Sequence, residues 1–370
     1  MYACFHLHVR ITGVKHVMIA TGGTGGHIYP ALAFADELVR RDPSCHVSFI
    51  GSSNRMEAQL IPAQGYDFTG FEMTGMNGGI SAKIRSAVSL KKAEGKITKM
   101  LKESRPDACV GFGNYISVPL IMAAHRLHIP TMISEQNSFA GKANVMLGRY
   151  ADAIEIAYAN SAKDFPKEKT RLLGNPDATR AWNRKVEPDF VRQYGLEPGQ
   201  PYVVIMMGSL GSESVSRVLD EACALLDGDY PVVIAKGKAN DYTFENKRDF
   251  VHLVDYVDGI ACLRTASAAV CRAGATTLAE IAVCGCASIL IPSPFVPNNH
   301  QVYNAMELVS KDAAWMIEEK DLTAEKLVSG MNRLMRDDAC RSKMKANASA
   351  MGTKDAAGQM VSWLEDIVNG

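Results

Sequence analysis

The chain reads Thr21-Gly22-Gly23-Thr24-Gly25-Gly26-His27 between an apolar run at 17–20 and a helical pattern that begins near Pro30. A strand, a glycine turn and a helix in this order are typical of the first unit of a doubly wound α/β domain. Glycines let backbone N–H groups approach a phosphate, and a helix N-terminus favours negative charge. The stretch therefore predicts a phosphate-binding loop, with Thr24, Gly25 and Gly26 at the ligand, or else an ordinary tight turn.

Two named phosphate-binding motifs are excluded. A dinucleotide fingerprint that starts at Gly23 would need glycine or alanine in place of Ile28, and no acidic residue ends the second predicted strand. A P-loop would need Gly-Lys-Ser or Gly-Lys-Thr, which the loop lacks. The ligand of this loop must therefore come from another class of phosphate compound.

The alternation of short apolar strands and longer helical patterns continues along the chain, breaks between about 158 and 201, and then restarts. Further strands are predicted at 46–50, 108–111, 131–134, 203–207, 231–235, 268–271 and 288–291, and helices at about 30–40, 118–127 and 212–226. Apolar strands joined by helices imply parallel sheets. We predict an α/β protein with two doubly wound domains that face a central cleft at the carboxyl ends of their strands.

Composition narrows the class of protein. A length of 370 residues favours two domains, and 40 basic residues balance 40 acidic ones, so bulk charge does not indicate nucleic-acid binding. No apolar run is long enough to span a bilayer, and residues 1–9 lack the pattern of an export signal. Residues 1–13 show no periodicity. The nine cysteines lack zinc-finger spacing, so we expect them to be reduced, in the cytoplasm.

His27 stands at the entrance of the first predicted helix. One interpretation is a partly buried histidine bonded to a loop carbonyl. The other is a general base, because the positive end of a helix disfavours imidazolium and leaves a neutral ring that accepts a proton. Two further loops, around Tyr115 and at Glu135-Gln136-Asn137, follow strands at the same sheet edge and point into the cleft.

The second domain repeats this arrangement with a glycine turn at 208–211 and a richer segment at 272–280. There, Thr277 and Glu280 have the spacing of a capping box at a helix start. Alternatively, the Glu280 carboxylate accepts hydrogen bonds from the two hydroxyls of a ribose. One carboxylate cannot fully satisfy both roles.

Seven segments occur together in one order: 21–27, 111–119, 135–137, 174–176, 208–211, 272–280 and 299–301. In this order they resemble the MurG-type N-acetylglucosaminyltransferases of bacterial peptidoglycan synthesis, over nearly the whole chain after Lys15. The resemblance implies the GT-B fold. It also implies inverting transfer of N-acetylglucosamine from its UDP donor to undecaprenyl-diphosphate-linked N-acetylmuramoyl-pentapeptide, which forms a β-1,4 bond.

The resemblance also implies residue roles. Glu280 would hold the ribose, Ser209 and Thr277 the diphosphate region, and the Val257 backbone the uracil. His27 would lie beside the acceptor hydroxyl and the leaving phosphate, with Tyr115 in the loop that meets the acceptor. The expected donor site comprises Thr24, Gly25, Gly26, Asn137, Arg180, Ser209, Val257, Ala275, Thr276, Thr277, Glu280, His300 and Gln301.

Two positions depart from the family pattern. The family usually has an arginine within one or two residues after Gly-Asn-Pro, whereas Asp177 and Ala178 stand here, and Arg180 is the nearest candidate. Met207 replaces a customary glycine of the second-domain loop. No Asp-x-Asp pair lies in a suitable loop, so we expect no metal and no cofactor.

A basic segment, 80–105, carries eight basic and two acidic residues interleaved with apolar ones. It predicts either contact with an anionic membrane, through Ile80, Lys83, Ile84 and Arg85, or a solvated helix whose apolar stripe packs on the core. We expect a mixture, with the membrane contact at 80–90. The chain would then be peripheral, at the cytoplasmic face of the cell membrane, with cell-wall synthesis proteins as further partners.

The domain boundaries follow from the same resemblance. We expect an acceptor domain at 14–174 plus 353–370 and a donor domain at 175–352. Three alternative functions stay open: a GT-B diacylglycerol glycosyltransferase, a UDP-N-acetylglucosamine 2-epimerase, which needs no lipid, and a non-catalytic UDP-sugar-binding protein.

Overall fold

The computed structural model describes residues 13–73, 79–208, 213–237 and 241–370. The predictions for residues 1–12, for Ser209 and for the end of the second glycine turn lie outside these residues, as do those for the side chains of Ile80 and Lys83.

The first sheet has seven parallel strands in the order β3-β2-β1-β4-β5-β6-β7. Its strands are β1 His16–Ala20, β2 His46–Ser52, β3 Asp67–Phe71, β4 Ala108–Gly111, β5 Thr131–Glu135, β6 Ala153–Ile156 and β7 Thr170–Leu172. Its helices are α1 Gly25–Arg41, α2 Glu57–Ala63, α3 Ile80–Ser104, α4 Ser117–Arg126 and α5 Lys142–Leu147. The strand order reverses between β1 and β4, and this is where an open α/β sheet binds its ligand.

The second sheet has six parallel strands in the order β10-β9-β8-β11-β12-β13. Helix α6, Asp177–Asn183, precedes it. Its strands are β8 Val203–Met206, β9 Val232–Ala235, β10 Val251–Val254, β11 Ala268–Cys271, β12 Ala287–Leu290 and β13 Trp315–Met316. Its helices are α7 Glu213–Leu225, α8 Gly259–Thr265, α9 Ala275–Cys284, α10 His300–Val309, α11 Ala324–Arg336 and α12 Asp338–Met351. The prediction of two doubly wound α/β domains is confirmed.

The predicted start of α1 is wrong. The helix begins at Gly25, five residues before the predicted start, and Pro30 lies inside it. The first bonds of the helix run from the His27 and Ile28 N–H groups to the Thr24 carbonyl. The last two glycines of the loop therefore form the first turn of the helix, and His27 lies within that turn instead of before it.

The last helix, α13 Ala356–Asn369, returns to the first domain. Met360 and Leu364 are fully buried in the same apolar cluster as Val17 of β1, and each such burial contributes about 1.5–3 kcal/mol. The Arg41 guanidinium of α1 donates to the Gly358 carbonyl at 2.5 Å. This packing agrees with a first domain that includes the C-terminal segment, while the boundaries at 174 and 353 stay a prediction.

Within the described residues, no helix combines the length and the apolar character that a membrane span needs. The described residues include eight cysteines, and all eight are free thiols.

Candidate active site

The loop after β5 connects the two domains. The Ser138 N–H donates to the Asn304 side-chain oxygen of α10 at 2.8 Å, and the Asn304 amide donates to the Asn137 side-chain oxygen at 3.2 Å and to the Ala273 carbonyl at 3.3 Å. Asn304 is fully buried. Because one buried amide joins the loops after β5 and β11, the carboxyl ends of the two sheets face each other across the cleft.

The glycine loop is anchored from below by Glu57, which is fully buried. Its carboxylate accepts hydrogen bonds from the Gly23 N–H at 2.9 Å and the Ser52 N–H at 3.0 Å. A Cβ atom at Gly22 would lie 2.2 Å from the Glu57 carboxylate oxygen, and Gly22 has a φ of 152°. Only glycine fits this position, so the loop holds the start of α1 in one place.

His27 is half-buried in the first turn of α1. Its Nδ1 atom lies 3.1 Å from the side-chain oxygen of Gln136. A Cβ atom at Gly113, whose φ is 76°, would come within 3.3 Å of the imidazole ring. Gly113 therefore leaves room for the ring, and Gln136 supplies its hydrogen-bond partner.

His300 is the first residue of α10, in the second domain. Its Nδ1–H donates to the Pro297 carbonyl at 2.9 Å. Burial lowers the pKa of the His300 imidazole, and the nearby His27 acts in the same direction. The turn that precedes α10 therefore fixes the His300 ring at the start of that helix.

Tyr115 lies in the loop after β4, which contacts the glycine loop through the neighbouring residue. The neighbouring Asn114 side chain donates to the Gly22 carbonyl at 3.3 Å and accepts from the Tyr115 N–H at 2.7 Å. Burial raises the pKa of the Tyr115 phenol, and the adjacent Arg55 opposes that shift. The predicted acceptor loop thus contacts the glycine loop beside the start of α2.

A cluster of two acids and one base lies where α6 meets α9. The Arg180 Nε donates to Asp177 Oδ1 at 2.7 Å, and an Arg180 Nη2 nitrogen lies 3.9 Å from Glu280 Oε1. Burial, and then the charge of Asp177, raise the pKa of Glu280 well above its usual range, while Arg180 opposes the shift. The Arg180 guanidinium also lies 4.9 Å above the centre of the Tyr29 ring of α1. Arg180 therefore lies between Glu280 and the first-domain helix.

The capping-box interpretation of Thr277 and Glu280 is wrong. Helix α9 begins at Ala275 with Gly274 as its N-cap residue, so Thr277 lies inside the first turn and cannot cap it. Glu280 is thereby left to its contacts with Asp177 and Arg180. The Thr276 hydroxyl is buried, and no group in the described part of the chain bonds it. The first turn of α9 thus combines a positive helix end with an unused hydroxyl.

The remaining predicted donor residues of the second domain lie at the starts of α10 and α8. The Gln301 side-chain oxygen accepts from the Ser293 N–H at 2.8 Å, which ties α10 to the loop after β12. Asn298 and Asn299 have left-handed backbones, with φ of 55° and 51°, in the turn that leads to His300. Val257 is buried just before α8, whose N-cap is Asp258.

Helix α3 has two distinct parts. Ile84 is 60% exposed and Val88 is 50% exposed, on one side of the helix beside the exposed Arg85. Ile97 and Leu101 are buried in the core. The expected core packing is confirmed for Ile97 and Leu101, and the apolar side chains of Ile84 and Val88 face solvent, while the membrane contact stays a prediction.

Sequence reasoning missed three contacts that build the site. Gln136 was recognised only as a part of its motif, and its bond to His27 spans 109 positions. Asp177 appeared only as a departure from the family, although it holds Arg180. Asn304 gave no signal, because an asparagine inside a helical pattern has no distinctive spacing.

Comparisons with known proteins agree over most of the chain. Residues 17–156 match the glycosyltransferase family 28 N-terminal domain, and residues 202–360 match the glycosyltransferase family 28 C-terminal domain. The UDP-N-acetylglucosamine–N-acetylmuramyl-(pentapeptide) pyrophosphoryl-undecaprenol N-acetylglucosamine transferase of Pediococcus pentosaceus is 36% identical over 95% of this chain and 99% of its own. The relative of the same name in Bacillus subtilis is 33% identical over the same shares. The crystal structure of Acinetobacter baumannii MurG superposes with a TM-score of 0.74 at 26% identity, over 95% of this chain and 99% of that one. The chain belongs to the MurG family of glycosyltransferases, in glycosyltransferase family 28.

Proposed function

We propose that this protein transfers N-acetylglucosamine from its UDP donor to the 4-hydroxyl of a lipid-linked N-acetylmuramoyl-pentapeptide, which converts lipid I to lipid II in peptidoglycan synthesis. The observation that carries the proposal is that α1, which begins with His27 in its first turn, also contacts through Tyr29 the Arg180 guanidinium beside Glu280. The names of the curated relatives support the same substrates.

The donor would bind at the second domain. Glu280 would accept the ribose hydroxyls, and the first turn of α9, at Ala275, Thr276 and Thr277, would donate to the diphosphate. Arg180 would add a guanidinium in the place of the customary family arginine, because Asp177 directs it towards Glu280.

The remaining donor groups would come from both domains. The Val257 backbone would contact the uracil, and Asn137, His300 and Gln301 would surround the sugar. Thr24 and the first turn of α1, with Gly25 and Gly26, would face the phosphates. Ser209, outside the described residues, would complete this set.

The reaction would be a single displacement with inversion. The acceptor 4-hydroxyl loses its proton to a base as its oxygen attacks the anomeric carbon, and the bond from that carbon to the phosphate oxygen breaks. UDP takes the electron pair of that bond, so charge develops on the diphosphate. The helix end of α9 and the Arg180 guanidinium stabilise that charge.

The lipid-linked acceptor would be reached from a membrane surface. Ile84 and Val88 would enter the interface, and Arg85 would contact anionic headgroups. This contact would make the protein peripheral, on the cytoplasmic face of the cell membrane, beside other cell-wall synthesis proteins. Vesicle sedimentation tests it: Ile84→Asp should weaken binding to anionic vesicles, whereas Leu225→Asp, an exposed change on α7, should not. Equal binding of both variants and the unmodified protein would contradict the membrane surface.

The function itself is tested by transfer of radiolabelled N-acetylglucosamine from UDP to lipid-linked N-acetylmuramoyl-pentapeptide, with diacylglycerol and no-acceptor controls. Label in the first product alone supports the proposal. Label on diacylglycerol would assign a different acceptor, and conversion of the donor to its 2-epimer without transfer would assign the epimerase.

A further inference from the structure

Gln136 has hydrogen-bond partners at both ends of its side-chain amide. Its nitrogen donates to the Ser134 carbonyl at 3.1 Å and to the Ser134 hydroxyl at 2.8 Å. Its oxygen lies 3.1 Å from His27 Nδ1. The residue is 1% exposed, so water does not compete for these bonds.

The direction of each bond follows from elementary chemistry. A backbone carbonyl can only accept, so the nitrogen of the Gln136 amide must face Ser134 and the oxygen must face His27. An amide oxygen can also only accept, so His27 Nδ1 must carry a hydrogen. A neutral imidazole has one N–H, and therefore Nε2 keeps its lone pair.

The partners of Gln136 are themselves fixed. The Asn144 side chain also donates to the Ser134 carbonyl, at 2.9 Å. The Ser134 hydroxyl, which accepts from Gln136, donates to Glu155 Oε2 at 2.5 Å. Glu155 is fully buried on β6, and burial raises the pKa of its carboxyl well above the usual range. Because two neighbouring strands hold this chain of bonds, the Gln136 amide cannot turn over without losing its bonds to Ser134.

We propose that Gln136 is a positioning residue that holds His27 in the tautomer with its hydrogen on Nδ1, so that Nε2 is the base in the transfer reaction. The inference rests on the proposed function and assigns its base. The hydrogen of the acceptor 4-hydroxyl passes to Nε2, while the electron pair of the broken O–H bond forms the new bond to the anomeric carbon. The neutral ring cannot donate to phosphate through Nε2 before this step, so its first role is that of a base.

The tautomer can be measured without any substrate. Protein with ¹⁵N-labelled histidine rings would give long-range ¹H–¹⁵N correlations, and His27→Asn would identify the His27 signals. We expect Nδ1 to be protonated in the unmodified protein at a pH where the ring is neutral. A signal pattern with the hydrogen on Nε2 would overturn the proposal, whether or not any variant folds.

Gln136→Met removes the acceptor and keeps the length of the side chain. We expect His27 to populate both tautomers and kcat to fall by about tenfold or more, but by no more than the roughly 10²–10⁴ that a general base contributes in full. The donor KM should change less than about twofold. Ser134→Ala should have a smaller effect, because the backbone carbonyl still orients the amide. Gln359→Met, an exposed change on α13, is the matched control.

Failure of the proposed function and failure of the positioning role of Gln136 would give different results. If the unmodified protein transfers no sugar, the proposed function fails, while the tautomer is still read from the spectra. If transfer occurs but Gln136→Met changes neither the tautomer nor kcat, only the positioning role is overturned.

Discussion

The starts of α1 and α9 have similar backbones and different surroundings. Both follow a strand at the point where the strand order of its sheet reverses, and both have no side-chain cap. At α1, His27 is bonded to a neutral amide held by serine. At α9, Glu280 lies beside Asp177 and Arg180. Under the proposed function, the same local fold would serve proton transfer at one site and anion binding at the other, according to the side chains that neighbouring elements bring to it.

The comparison is tested most directly by His27→Ala. If the α1 side handles only the proton, kcat should fall by about 10²–10⁴, the contribution of general base catalysis. UDP binding should stay within a few-fold, since the charged donor cluster is untouched. Kinetics together with calorimetric titration of UDP measure both quantities. A loss of UDP affinity as large as the loss of kcat would move His27 to the donor site.

The converse change, Glu280→Ala, should act on binding. At a pH above the raised pKa of Glu280 the carboxylate is charged. A hydrogen bond to a charged group is worth about 1.5–3 kcal/mol, so we expect the donor KM measured there to rise roughly ten- to hundredfold. At saturating donor, kcat should change much less than in His27→Ala. An unchanged donor KM would remove the ribose role from Glu280 and with it the distinction between the two helix starts.

Features of these two helix starts that depend on neighbouring residues could be predicted from the sequence, and features that depend on residues far apart in the chain could not. The strands, the glycine loop and the position of His27 were predicted, because each is recognisable in a short run of consecutive residues. Helix α1 was misplaced because Pro30 is a common first-turn residue, whereas here it lies one turn further in. The partners of His27 and Arg180 are set by packing between strands and helices, which periodicity does not encode.

Donor binding should also depend on pH, with a smaller amplitude. Because the pKa of Glu280 is raised, the carboxyl gains a proton as the pH falls through that value and then accepts the ribose hydroxyls less well. The donor KM should therefore decrease as the pH rises. Asp177→Asn removes the neighbouring negative charge, which lowers the pKa of Glu280 and moves the transition to lower pH. Glu280→Gln should abolish it, and a transition that survives in Glu280→Gln would belong to another group.

The smallest expected effect is on thermal stability, through Glu155, the buried carboxyl that accepts a hydrogen bond from Ser134. In the folded protein the pKa of Glu155 is raised, whereas in the unfolded chain it has its ordinary value. The free energy of unfolding therefore decreases as the pH rises from the ordinary pKa towards the raised one, because the Glu155 carboxyl gives up its proton only in the unfolded chain. Glu155→Gln lacks that loss and keeps an acceptor for Ser134. Its Tm relative to the unmodified protein should rise between about pH 5 and 7.5, by on the order of 2 °C for each kcal/mol.

The exposed Glu187→Gln should show no such trend. An equal Tm difference at both pH values would mean that Glu155 is ionised in the fold, and the α1 side would then hold a buried charge as the α9 side does.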